Sequence, residues 1–151
     1  MSEQTLVLVK PDGVQRGLVG EIIGRMERKG LRLHALKMMK MDEARAQRHY
    51  SEHLEKPFFK DLAAFITSGP LVAMVLVGPN AVSNVRQMMG VTDPAKSAPG
   101  TIRGDHGLTI GMNLIHGSDS PERAKQEIEI FFEPAEVLEY SRDVERWILE
   151  G

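Results

Sequence analysis

No cysteine occurs in the 151 residues. Disulfides, thiolate zinc sites and a cysteine nucleophile are therefore excluded, and the absence fits a reducing compartment, so a cytoplasmic location is expected. Aromatic residues make up only 5% of the chain, and the apolar runs at 5–9 and 71–77 contain none. That removes the stacking platform with which RNA-binding sheets hold bases. Neither sign of charge dominates: 19 Lys and Arg stand against 21 Asp and Glu, a net charge of -2. Binding to a phosphate backbone usually requires a strong basic excess, so nucleic acid is not an expected partner. No stretch approaches the roughly 20 apolar residues of a membrane span, and the first ten residues lack the basic flank and apolar core of a secretory leader. The chain reads as soluble and unprocessed, with no membrane partner. Walker A and G-x-G-x-x-G patterns are missing too, so any phosphate would have to be held by side chains instead of a glycine-rich loop.

What is present suits one ordinary domain spanning 1–151. The composition is 42% hydrophobic and 26% charged, and the length suffices to bury a core. Charge is uneven, with eight basic and four acidic residues in 1–40 against two basic and six acidic in 133–151; the acidic tail reads as a solvated or intersubunit surface. Residues 5–9 read as a buried strand running into the turn Lys10-Pro11-Asp12-Gly13. Leu18, Val19, Ile22, Ile23 and Met26 recur at helical spacing, with Gly30 as a stop. The stretch 31–41 alternates and then slips phase at Leu36, as a bulged strand would. Asp42 can cap a following helix, and Pro57 opens a second one ending near Thr67. Residues 71–77 form another strand, and Ala81, Val82, Val85, Met88 and Met89 a helical stripe closed by Gly90. Residues 91–113 form a loop far longer than usual, which marks it as functional. A short last strand at 113–116 precedes a helix capped by Ser120-Pro121 and ended by Pro134. The predicted fold class is α+β. The element order is that of a ferredoxin-like βαββαβ antiparallel sheet with helices on one face, plus an inserted helical hairpin and a C-terminal extension.

One histidine, His116, emerges where the last strand meets a turn and a capped helix. Taken alone it reads as a loop histidine bonded to backbone. Lys10, Arg86, Arg103, Thr92 and Tyr50 lie on elements that the fold could bring beside it. Cations and hydroxyls around a neutral nucleophile suit a phosphoryl group, whose charge is spread over three equatorial oxygens; singly, each reads as a solvated surface group. Gly17, Gly20 and Gly24 are assigned to helix packing. The segment His49-Tyr50-Ser51-Glu52-His53 matches H-x-x-E-H, which could place two histidines and a carboxylate on zinc. Such a hydrolase would also need a third ligand, for which Glu127 or Glu129 are arbitrary candidates.

Five ordered segments resemble the nucleoside diphosphate kinase family over nearly the whole chain. They are Val9-Lys10-Pro11-Asp12-Gly13-Val14-Gln15-Arg16-Gly17, Lys56-Pro57-Phe58-Phe59, Thr67-Ser68-Gly69-Pro70, Pro99-Gly100-Thr101-Ile102-Arg103-Gly104-Asp105, and Asn113-Leu114-Ile115-His116-Gly117-Ser118-Asp119. The resemblance implies a ping-pong reaction in which the γ-phosphoryl of a nucleoside triphosphate passes to His116 and then to a nucleoside diphosphate. It implies attack through Nδ1, with the opposite nitrogen held by backbone and Ser118 and Glu127 as a supporting shell. Lys10, Tyr50, Arg86, Thr92, Arg103 and Asn113 match nucleotide and phosphate contacts. Phe58 and Ile110 match the positions that sandwich the base, and stacking without edge contacts implies broad base specificity; core packing is the rival reading of Phe58. Mg²⁺ is expected on the phosphates, with no protein metal ligands of its own. The family's homo-oligomers imply a hexamer more than a tetramer, the tail with Trp147, Ile148 and Leu149 resembling the hexameric kind; Glu150 could approach a neighbouring nucleotide. Three positions depart from the pattern. Met112 stands where Arg is usual, His106 where an apolar or aromatic residue is usual, and Thr109 at a variable polar position, so loop packing is the property in question. A nonenzymatic ferredoxin-like interaction module is the third class, beside the phosphotransferase and the zinc hydrolase.

Overall fold

The computed structural model describes residues 2–151. Four strands, β1 (Ser2–Val9), β2 (Arg32–Lys40), β3 (Pro70–Pro79) and β4 (Ile115–Gly117), form one sheet in the order β2-β3-β1-β4. Every pairing is antiparallel, with Leu6 opposite Val75 in the centre and Leu8 opposite His116 at the edge. This is the expected ferredoxin-like α+β arrangement. Its helices are α1 (Pro11–Gln15), α2 (Val19–Lys29), α3 (Glu43–His49), α4 (Phe59–Ile66), α5 (Ala81–Met89), α6 (Ile102–His106) and α7 (Pro121–Phe131).

The apolar runs in β1 and β3 are continuous because both faces of the sheet are covered. The crossover helices α2 and α5 share one face, where Ile22, Met26, Val85 and Met89 pack on Val7, Val9, Met74 and Leu76. On the opposite face, the inserted hairpin α3–α4 and the C-terminal helix α7 bring Ala46, Ile66, Ile128 and Phe131 against Leu6, Leu8, Ala73 and Val75. Local signals set the boundaries. The Asp42 carboxylate accepts from Arg45 N–H at 2.8 Å and Ser120 Oγ from Arg123 N–H at 3.0 Å, each closing a helix N-terminus. Gly30 ends α2 at φ 108°, a conformation that favours glycine.

Three features differ in detail from the sequence reading. The segment Lys10-Pro11-Asp12-Gly13, read as a turn, instead opens α1, because Pro11 occupies a first-turn position where its missing N–H costs nothing. The bulge in β2 falls between Leu33 and Ala35, earlier than Leu36; Leu36 and Met38 are exposed on the edge strand, so apolar phase alone misplaces the shift. Within the long segment 91–113, α6 and two short 3-10 turns, Pro94–Lys96 and Ile110–Met112, give the chain local order.

The C-terminal extension lies along β2, where Leu138 N–H donates to His34 O at 2.9 Å and Tyr140 Oη to Leu33 O at 2.6 Å. Arg142 also donates to Gly30 O at 2.8 Å. Trp147 nevertheless stays 78% exposed, so it is not buried against its own chain's core.

Thr101 Oγ1 caps α6 by accepting from Gly104 N–H at 3.0 Å, and a Cβ at Gly104 would collide with the Ala98 carbonyl oxygen. Gly104→Ala is expected to cost about 1–3 kcal/mol, as overpacking does, measured as a lowered urea midpoint. An unchanged midpoint would show that this helix is not packed as described.

Candidate active site

His116 sits mid-way along β4, directly after a distorted bend. Leu114 has φ 74°, rare for a branched residue. The bend is pinned from several sides. Leu114 N–H donates to Asp12 Oδ2 at 3.0 Å, and Lys10 N–H donates to Leu114 O at 2.9 Å. Arg103 donates through Nε to Asn113 O at 3.1 Å and through Nη2 to Ile115 O at 2.6 Å. Its Nη1 reaches Gly90 O, 3.1 Å away at the other end of the long segment.

Behind the imidazole stands a buried carboxylate. Glu127 Oε2 lies 2.9 Å from His116 Nε2, and Glu127 Oε1 accepts from Ser118 Oγ at 2.6 Å. Ser118 is itself held by Leu6 N–H, which donates to its Oγ at 3.1 Å. Burial alone would raise the Glu127 pKa, but the hydrogen bond and charge of His116, the Ser118 hydroxyl and the nearby His49 outweigh it and hold the group at about 2. Nε2 is thus engaged by a side chain, not by backbone as the sequence comparison implied. The reason is geometric: Glu127, one turn beyond Arg123 on α7, points back at β4.

Of two further neighbours, Arg123 had no role in the sequence reading and His49 only that of a zinc ligand in the H-x-x-E-H match. His49, only 5% exposed, packs edge-on against His116 with ring centroids 4.7 Å apart. Burial, and then the nearby His116, push its pKa down to about 3, so the ring is neutral. Arg123 Nε lies 3.7 Å from Glu127 Oε2, an i,i+4 pair whose spacing was visible in the sequence. The H-x-x-E-H reading fails because α3 ends at His49 and a 3-10 turn follows; His53 instead lies beside the Phe58 ring, centroids 5.4 Å apart.

A cavity of about 250 Å³ opens in front of His116. Lys10, Tyr50, Arg86, Thr92, Arg103, Asn113, His116 and Glu127 all line it, so most of the residues selected from sequence converge there. Ser118 lies behind the wall, fully buried. Phe58 and Ile110 do not line the cavity and are 45% and 59% exposed. Lys10 Nζ donates to Asn113 Oδ1 at 2.8 Å, and Asn113 Nδ2 to Thr92 O at 3.0 Å. Burial and then the Arg103 charge lower the Lys10 pKa to about 8, against a smaller opposing effect of Asp12. Burial raises Tyr50 to about 12, helped by the Glu127 charge. Arg103, 5% exposed, drops to about 10 through burial and the proximity of Arg86. Arg86 differs: it is exposed and donates only to Gly117 O, at 3.2 Å.

The family model described as nucleoside diphosphate kinase matches residues 3–137. The chain is 58% identical over 147 residues to a nucleoside diphosphate kinase of Thermomicrobium roseum, covering 97% of this chain and 99% of the relative. It is 56% identical to one of Archaeoglobus fulgidus, covering 98% of each chain. The chain belongs to the nucleoside diphosphate kinase family. Its fold is similar, at a TM-score of 0.97 and 51% identity over 99% of this chain and 100% of the other, to that of a halophilic nucleoside diphosphate kinase from Halobacterium salinarum in complex with CDP. Its activity is that of the family, the phosphotransfer ATP + NDP = ADP + NTP, and its substrates are nucleotides. Enzymes of this kind generally work with a divalent metal on the nucleotide. Among the described residues no helix is long and apolar enough to cross a membrane.

The departures from the family pattern fall outside the cavity. Met112 is exposed beside a separate space lined by Pro11, Asp12 and Phe65. His106 Nε2 lies 3.3 Å from Glu21 Oε2 and 3.4 Å from Arg25 Nη2, so this nucleoside diphosphate kinase ties its long segment to α2 there. Arg25 strengthens the tie by donating to Asp105 Oδ2 at 2.8 Å and Gly100 O at 3.0 Å.

The depressed pKa values carry a sign. Glu127, at about 2 instead of 4.5, contributes stability that is complete above 4.5 and is lost as pH falls towards 2. His49, at about 3 instead of 6.5, contributes stability that is complete above 6.5 and is lost as pH falls towards 3. Urea unfolding should show stability declining below pH 6.5 and more steeply below 4.5, with the upper part flattened in His49→Gln. A decline of equal slope in that variant would contradict the assignment.

Proposed function

We propose that this chain works by a ping-pong mechanism in which His116 carries the phosphoryl group. The observation that supports it is the buried Ser118–Glu127–His116 chain of hydrogen bonds, which holds Nε2 of a ring that lines the cation-lined cavity. In the first half-reaction a bond forms between His116 Nδ1 and the γ-phosphorus, while the bridging P–O bond breaks and the nucleoside diphosphate leaves with that electron pair. In the second half, a terminal oxygen of the acceptor diphosphate attacks the same phosphorus and Nδ1 departs. Nε2 keeps its proton throughout and donates a hydrogen bond to Glu127, whose negative charge stabilises the positive charge that develops on the ring.

Arg86 and Thr92 would contact phosphate oxygens, and Lys10 and Asn113 the phosphates and ribose hydroxyl, with Tyr50 at the same wall. Arg103 spends three donors on carbonyls, so much of its effect would come from fixed charge and from holding the bend. Phe58 and Ile110, exposed outside the cavity, would sandwich the base without reading its edge, which supports broad base specificity.

The residues present fit a Mg²⁺ ion that arrives on the phosphates. Among the described residues, the one group of three that could jointly hold an ion includes two imidazoles, unlike the all-oxygen cage that ion prefers. Glu52 and Asp119, the cavity-wall carboxylates not bonded to His116, are available to hold its waters. When bound, the ion supplies charge neutralisation at the transferring phosphoryl. We further read the chain as a single cytoplasmic domain in a homo-oligomer, a hexamer more than a tetramer. Exposed Trp147 and Leu138 on the tail, with Leu36 and Met38 on the sheet edge, support such an assembly.

Incubation with γ-labelled ATP and Mg²⁺ should leave an acid-labile, alkali-stable label on the protein, absent from His116→Ala. Label or nucleotide exchange that persists in the variant would refute the mechanism. Arg86→Ala should lower kcat by roughly 10²-fold, as loss of one charge-stabilising donor does; a change confined to KM would mean that Arg86 binds substrate and transition state alike.

A further inference from the structure

His49 takes no part in the chemistry proposed above, yet it is not simply packing. An aromatic or aliphatic side chain would fill the same space, whereas the imidazole leaves its buried Nδ1 with no hydrogen-bond partner. That atom lies 3.5 Å from Glu127 Oε2. The same oxygen faces His116 Nε2 at 2.9 Å. Two imidazole nitrogens and one carboxylate oxygen therefore converge, all within 4.8 Å of one another. Bonds of about 2.0–2.1 Å at a tetrahedral ion set donor atoms roughly 3.3 Å apart, and the two distances just given bracket that value. Ser118, on the far oxygen of the carboxylate, fixes its orientation as an outer-sphere partner does. The cavity leaves a fourth position open to water or an anion.

We propose that His49, His116 and Glu127 form a site for a transition-metal ion of the zinc class, which binds only the unphosphorylated protein and stops phosphoryl transfer. The donor set decides the class, since two nitrogens and one oxygen suit zinc, cobalt or copper over magnesium. The block follows from a tautomer, and it rests on the reading of His116 as nucleophile. Coordination needs the lone pair of Nε2, so the single proton of the neutral ring moves to Nδ1 through water, and the lone pair that attacks phosphorus is gone. In the phosphorylated ring Nδ1 is bonded to phosphorus, the proton stays on Nε2 facing Glu127, and the metal loses the His116 donor, keeping only His49 and a carboxylate that is already hydrogen-bonded. Metal and phosphoryl group thus exclude each other. Lys10, Arg86, Arg103 and Arg123 surround the site, and their charge weakens binding of a bare cation while favouring an anionic fourth ligand.

Co²⁺ alone, titrated without nucleotide, tests the site by its four-coordinate visible absorption. One equivalent per chain should give these bands, and Zn²⁺ should displace them. Affinity should fall at least tenfold in His49→Gln and in His116→Gln, checked for native melting, and be retained in His53→Gln. Protein first labelled with phosphate from ATP and freed of nucleotide should show no bands. Absence of binding in the wild type, undiminished binding in His49→Gln, or equal binding by labelled and unlabelled protein would each overturn the proposal. Label measured in parallel on metal-free protein separates the two readings. Normal labelling with no cobalt bands sinks only the metal site; cobalt bands with no labelling sink the nucleophile, and the claimed exclusion with it.

Discussion

A carboxylate taken out of water must be compensated or it will not stay charged. Glu127 meets that demand with one hydroxyl and one imidazole, and those two partners come from the strand that ends at Gly117 and the turn after it. The compensation therefore does two things. It keeps the charge ionised in a dry place, and it makes the orientation of His116 a condition of stable folding. Leu6 N–H, through the Ser118 hydroxyl, ties the same chain of bonds into the central strand of the sheet. A site supported in this way is anchored in the core.

The cavity wall shows a division among the cations. Arg103 is buried and committed to three backbone carbonyls, Lys10 is largely buried and committed to Asn113, and Arg86 is exposed and nearly free. Committed cations supply a fixed field that needs no reorganisation when charge develops, which is the cheaper form of electrostatic assistance. A free one can adapt its reach to a di- or triphosphate. The combination suits a pocket that must accept donor and acceptor in turn.

Much of this was readable from local signals. Asp42, Ser120 and Gly30 mark helix ends through their own side-chain or backbone chemistry, and the apolar runs in β1 and β3 announce strands buried on both faces. Segment resemblance then selected the cavity lining. What could not be read is what depends on distant parts meeting. The resemblance already set Glu127 beside His116, but nothing in the chain shows that His49, dozens of residues away, meets the same carboxylate oxygen once the hairpin, the edge strand and α7 have packed. The bulge beside His34 and the carbonyl bonds of Arg103 are equally non-local, since neither leaves a spacing pattern in the chain. The H-x-x-E-H match misleads for the opposite reason: it assumes an unbroken helix where α3 has already stopped.

Arg103 clasps Gly90 on one side and Asn113 and Ile115 on the other, so the long excursion between them is closed at its neck. The entropic cost of closing such a loop grows only logarithmically with its length, so the number of residues in the arc matters little. Its outer arc is thereby uncoupled from the geometry at the neck, and variation at exposed positions such as Thr109 can accumulate there while the imidazole keeps its aim. A single guanidinium acts as a knot, giving the enzyme a rim that is free to diverge around an interior that is not.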